Sequence, residues 1–218
     1  MVKYNLSTGE TVWSDEMALN HANDITYNSK LDRFVVCHNA GAPLKVSYLK
    51  INDAGALEVD GEAELEYRGY SIAYNASSDR YVVGRSGAEY FDVYDSDFNV
   101  LYSFEAKEEY KGQLTEDKTS YTGYITQGIA CDDNYIYCVL DKPDVIVVYD
   151  WYGCFVTKID LSNVVDYEPE NISIVGNSIY VTDVFYYNTE LFGKEIELTR
   201  AYVYIIDASA LVKDTSAQ

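Results

Sequence analysis

Proline is close to missing from this chain, with three residues in 218. Each proline would withdraw a ladder donor, so its scarcity leaves long stretches free to pair in sheets. Histidine is as scarce: neither His21 nor His38 stands at zinc-finger spacing from the cysteines, and Cys37, Cys131, Cys138 and Cys154 contain no C-x-x-C pair. Basic charge is short too, 16 Lys and Arg against 36 Asp and Glu, for a formal net charge of −20. A surface of that sign repels phosphate backbones and anionic bilayers, so nucleic acid is not an expected partner. No run approaches the ~18 apolar residues of a membrane span, and membrane insertion is not expected. Residues 1–20 lack the basic-then-apolar run of a secretory signal, so the chain as it stands reads as cytoplasmic. Also absent are G-x-S-x-G, the P-loop and H-E-x-x-H, which removes support for nucleophile elbows and phosphate cradles.

What is abundant is tyrosine, 23 residues, in company with valine and isoleucine, a composition that favours strands. The chain also repeats itself. Residues 27–36 read YNSKLDRFVV and residues 74–83 read YNASSDRYVV, sharing Tyr-Asn, Asp-Arg, an aromatic and Val-Val. VYDSDFNVLYSF at 93–104 matches VYDWYGCFVTKI at 148–159, each a strand, a turn rich in Asp, Asn or Gly, and a second strand. VKYNLSTGETVW at 2–13, LKINDAGALEV at 49–59 and YIIDASALV at 204–212 have the same shape. Laid on one another, the copies make a unit whose first strand reads DITYN (24–28), SIAYN (71–75), GIACD (128–132) and NISIV (171–175). The second strand reads DRFVVCHN, DRYVVGRS, NYIYCVLD and NSIYVTDV. Four short strands recurring every ~40–50 residues are the signature of propeller blades.

The expected fold is therefore all-β, a single β-propeller domain over 1–218 built of four-stranded antiparallel blades. A half-blade at 1–20 precedes four full blades at about 21–70, 71–124, 125–170 and 171–218. One such sheet cannot bury both faces alone, and packing each sheet against its neighbours around an axis solves that. Small residues in SIAYN and GIACD suit the crowded axis, with Tyr and Phe filling the wider outer wedge. Cys37, Cys131 and Cys138 sit among apolar strand residues as small buried side chains, and a Cys131–Cys138 disulfide is the minor alternative.

The segments TQGIACDDNYIYCV, DVIVVYDWYGCFVTKI and EPENISIVGNSIYV resemble the blades of NHL, YVTN and TolB-type bacterial propellers over residues 21 to 212. That resemblance implies the fold and leaves function open, because the architecture carries binding modules, lyases, lactonases and scaffolds alike. Opening on a half-blade leaves a sheet edge unpaired. The expectation is an N-terminus shortened from a longer chain, which would make the protein secreted or surface-bound. Self-association through the open edge is the alternative.

The resemblance also implies that ligands meet the face from which each inner strand enters. His21, Asn23 and Asp24 stand there in the first unit, Tyr70 and Ser71 in the second, Thr126 and Gln127 in the third, and Glu168, Glu170 and Asn171 in the fourth. Oxygen ligands from Asn23, Asp24 and Glu170 could hold calcium, and His21 with Glu170 could act as an acid–base pair. The structural reading of the same residues is loop chemistry, with Asp24 bonding main-chain amides. Two insertions, 105–124 and 184–200, break the rhythm. The second carries Phe185, Tyr186, Tyr187 and Phe192, which could stack on sugars, anchor a protein partner or pack on their own blade. The leading expectation is a non-catalytic module recognising protein or carbohydrate through its loop face, and the alternative is a metal-assisted lyase or lactonase.

Overall fold

A computed structural model describes residues 1–5, 7–19, 22–38, 44–85, 89–114, 116, 121–123, 125–142, 144–191 and 194–207. Its regular structure is almost all strand, and its sheets stand as four blades around one axis, a four-bladed β-propeller. Blade 1 is the antiparallel meander β3 (Ala22–Asn28), β4 (Arg33–His38), β5 (Lys45–Ile51) and β6 (Leu57–Glu64). Blade 2 is β7 (Gly69–Asn75), β8 (Arg80–Arg85), β9 (Tyr90–Tyr94) and β10 (Val100–Glu105). Blade 3 is β13 (Ile125–Cys131), β14 (Tyr135–Asp141), β15 (Val145–Asp150) and β16 (Phe155–Asp160). Blade 4 has three strands among the described residues, β17 (Glu168–Val175), β18 (Ser178–Leu191) and β19 (Lys194–Asp207). Its expected fourth strand falls on 208–218, outside the described residues. The half-blade is a hairpin of β1 (Val2–Tyr4) and β2 (Thr11–Trp13), in register Val2↔Trp13.

The repeated Tyr-Asn…Asp-Arg motif is a turn with ties to the next blade. Asp32 and Asp79 turn the chain in the left-handed region, at φ 53° and 57°, a conformation that aspartate tolerates. Each accepts a hydrogen bond from the repeat's own tyrosine, Tyr27 Oη to Asp32 at 2.7 Å and Tyr74 Oη to Asp79 at 2.6 Å. The asparagine works in two directions. Its carbonyl oxygen accepts turn amides, Lys30 and Leu31 for Asn28 and Ser78 for Asn75. Its amide nitrogen then reaches the following blade, Asn28 Nδ2 to Tyr81 Oη at 2.6 Å and Asn75 Nδ2 to the Asp132 carbonyl at 2.8 Å.

Apolar packing follows the same order. Val35, Cys37 and Val46 of blade 1 meet Ile72, Tyr81 and Tyr94 of blade 2. Ala73, Phe91 and Val93 of blade 2 meet Ile136, Val147 and Tyr149 of blade 3. Val139, Ile146 and Val148 of blade 3 meet Ile172, Ile179 and Val181 of blade 4. Alanines on the inner strands and aromatic rings on the outer ones fill the wedge as expected. The other side of blade 1 is covered by Met17 and Leu19, which pack on Phe34, Val36, Leu49 and Leu57. Ser14 Oγ accepts the Leu57 amide and holds that strap in place. The far face of blade 4 is left to solvent, with Val175, Val203 and Ile205 60–65% exposed.

The four cysteines are free, Cys37 and Cys138 buried, Cys131 half-buried and Cys154 exposed. Cys131 and Cys138 sit out of register, opposite Ile136 and Ile129. Both insertions rise from the face where the inner strands begin. The first contains the hairpin β11 (Gly112–Leu114) and β12 (Tyr121–Gly123). The second is a continuation of β18 and β19, paired without a break from Ser178↔Asp207 to Leu191↔Lys194. No helix among the described residues is long and apolar enough to cross a membrane.

Candidate functional site

Every inner strand breaks register once, at the equivalent place. The pairing skips one residue between Ala22 and Asp24, Gly69 and Ser71, Thr126 and Gly128, and Pro169 and Asn171. The extra residues are Asn23, Tyr70, Gln127 and Glu170. A bulge of this kind leaves its residue outside the ladder and re-aims its side chain. One such bulge on each innermost strand, at its loop-face end, sets four polar side chains around the axis.

One step deeper, Asp24 ties the blades together. Its Oδ2 accepts the main-chain amides of Ile72 (2.9 Å) and Ile129 (3.1 Å), on blades 2 and 3. Its Oδ1 accepts the Ile25 amide (2.8 Å) and Asn171 Nδ2 (2.7 Å), on blades 1 and 4. Innermost strands are sheet edges whose inward amides have no ladder partner, and a buried carboxylate with four acceptor positions supplies one. Burial pushes the Asp24 carboxyl up to about 7, against the pull of those donors. Gly128 lets β13 approach β17 closely, since a Cβ there would lie 3.0 Å from Asn171 Cα and 3.2 Å from Ile172 N. Asn23 Nδ2 adds a bond to the Gln127 carbonyl at 3.2 Å.

Above Asp24, carboxylates gather between blades 3 and 4. Gln127 Nε2 donates to Glu168 Oε1 at 2.6 Å. Burial, then the charges of Glu168 and Asp141, raise the carboxyl of Glu170. Burial, then Asp141, likewise raises Glu168, with Lys142 opposing. Asp144 is raised by burial and by Asp141, and the Tyr70 phenol by burial, Glu170 and Glu168. Asp141 closes the group: it is 4% exposed and its Oδ2 makes no hydrogen bond. Lys142 Nζ stands 3.6 Å from that oxygen, beyond hydrogen-bond reach.

Of the residues expected at this face, Asn23, Asp24, Gln127, Glu170 and Asn171 are brought together with Tyr70 and Glu168. His21 lies outside the described residues, and with it the acid–base pair with Glu170. The calcium set Asn23, Asp24 and Glu170 meets an Asp24 whose two oxygens already take four donors. Among the described residues no three His, Cys, Asp or Glu side chains are grouped to hold a metal ion. Phe185 stacks on Tyr167, ring centroids 4.1 Å apart, beside Glu168, and Tyr167 in turn stacks on Tyr202. Tyr186 and Tyr187 continue β18, where only the backbone is described, and Phe192 lies outside the described residues. His38 is a core residue, with Nε2 2.7 Å from Ser47 Oγ and a pKa lowered by burial. Sequence reasoning missed Asp141, which reads as the polar residue that ends a strand, and the bulges, whose signal is one polar residue too many before each inner strand.

No protein-family model matches the chain, and no curated protein sequence matches it. Solved structures do. A protein from Lactobacillus plantarum is similar over 94% of this chain and 67% of its own, at TM-score 0.53 and 13% identity. The hydrazine synthase of Kuenenia stuttgartiensis is similar over 95% of this chain and 50% of its own, at TM-score 0.50 and 14% identity. At those identities the likeness is one of fold. The chain spans about half the length of the hydrazine synthase chain it matches.

Proposed function

We propose that the chain is a non-catalytic recognition module, a bacterial propeller of the NHL, YVTN or TolB-like kind, that binds a protein or carbohydrate partner at its loop face. The observation that carries this reading is the set of four bulges, which gives each blade one polar side chain out of the ladder on the same face. Rigid sheets with re-aimed side chains at their rims are a common way to build recognition sites. Both insertions rise from that face, and Tyr167 and Phe185 add flat aromatic surface beside Glu168. Self-association belongs to a different surface, the far face of blade 4. There a second copy would cover Val175, Val203 and Ile205 as blade 3 covers the opposite side of the same sheet.

Thermal-shift screening of soluble glycans and peptides tests the reading. A ligand of this site stabilises the wild type, loses its effect in Tyr70→Ala and Gln127→Ala, and keeps it in Tyr152→Ala. Tyr152 is 88% exposed in the β15–β16 turn on the opposite face. A ligand whose effect survives both loop-face changes would remove the reading.

A further inference from the structure

Resting on that reading, we propose that the loop-face rim where blades 3 and 4 meet binds a cationic side chain, the guanidinium or ammonium of an arginine or lysine presented by a protein segment. Like charges are gathered there by the fold. Glu168 and Glu170 come from the start of β17, Asp141 from the end of β14, and Asp144 from the turn that follows. Carboxylates brought together and partly withdrawn from water repel one another unless a cation or a proton arrives. Among the described residues Lys142 pairs with Asp141 at 3.6 Å, but its side chain is 80% exposed and stops short of hydrogen-bonding it.

Asp141 gives a second and separate indication. A carboxylate oxygen buried without a hydrogen-bond donor is costly to leave unsatisfied. This one ends its strand on the loop face, and its charge bears on Glu168, Glu170 and Asp144. The spacing favours an organic cation over a metal ion, because the described carboxylates do not converge as a metal-ligand group. A planar guanidinium carries five donors in a fork and can serve carboxylates that one ion cannot reach together. The stacked Tyr167 and Phe185 beside Glu168 supply ring faces of the kind on which such a group lies. A neutral sugar would bring donors without relieving the repulsion.

The probe is a library of random 12-residue peptides displayed on phage, panned on the full chain. Recovered peptides are then synthesised with arginine and with citrulline, its uncharged isostere. Enrichment of Arg or Lys at one position is expected. Binding by fluorescence anisotropy should weaken roughly tenfold or more with citrulline, with the Glu168→Gln/Glu170→Gln double variant, and between low and high salt. That variant removes repulsion, so it should melt at or above the wild-type temperature, which separates lost binding from lost fold. Peptides that bind equally well as citrulline forms, or equally well to the double variant, overturn the inference. If such peptides still depend on Tyr70 and Gln127, the recognition reading stands without it. Failure of every recovered peptide and screened glycan to depend on the loop face overturns both.

Discussion

At the scale of the residue, Asp24 is a side chain that bonds to all four blades. Asp24→Ala leaves the buried amides of Ile72 and Ile129 without an acceptor, at about 1–3 kcal/mol each. A loss of ~2–5 kcal/mol by urea denaturation is the expected result, and a loss below ~1 kcal/mol would show that the amides find other partners. Gly128→Ala should also destabilise, because its Cβ meets main-chain atoms of Asn171 and Ile172 that cannot swing away. The titration of these groups has a definite sign. Asp24, Glu168 and Glu170 all have folded-state pKa values above their ordinary ones. The folded chain therefore binds protons more tightly than the unfolded chain, and stability falls as pH rises between about 4 and 7. Carboxylates held below their ordinary values, such as Asp60 and Asp79, act oppositely, but only as pH drops toward their own range. The melting temperature should rise from pH 8 to pH 5.5, and Asp24→Asn should flatten that rise. An unchanged slope in the variant would place the effect elsewhere on the acidic surface. Asp24 could be read from sequence as a residue serving main-chain amides. That those amides belong to three blades could not, because nothing local marks a contact spanning 105 residues.

At the scale of the element, what the repeats made legible was the meander. The Tyr-Asn…Asp-Arg motif recurs because the turn and the tie to the next blade both use it, so identity of letters reports identity of contacts. The bulges escaped notice because a single extra residue changes neither composition nor alternation along the rest of the strand. Residues 184–200 look like a loop by their length relative to other blades, yet they alternate well enough to extend the β18–β19 ladder. The two faces of blade 4 offer a direct contrast in energy. Ile179 is buried against blade 3, and Ile179→Ala should cost about 2–5 kcal/mol. Ile205, on the same sheet with its side chain in solvent, should change stability by less than about 0.5–1 kcal/mol when replaced by alanine. Equal losses at the two positions in denaturation midpoints would mean that the far face is covered in solution.

At the scale of the whole molecule, the loop-face carboxylates and the exposed Val175, Val203 and Ile205 on the side of the last blade lie on different surfaces. Sedimentation of the wild type should show a concentration-dependent species that Val203→Lys/Ile205→Lys removes without altering the far-UV spectrum. A sedimentation profile indifferent to those changes would discard the side of blade 4 as the contact. The four-way grip of Asp24 has a further consequence for how the chain comes to be. A nascent polypeptide emerging from the ribosome presents β3 before the other inner strands, and the carboxylate on it waits for Ile72, then Ile129, and finally Asn171. Until the fourth blade is out, the carboxylate lacks its complete set of donors. Assembly is thereby weighted toward one late closing event, and partial products of synthesis stay open to proteases that the finished ring would resist.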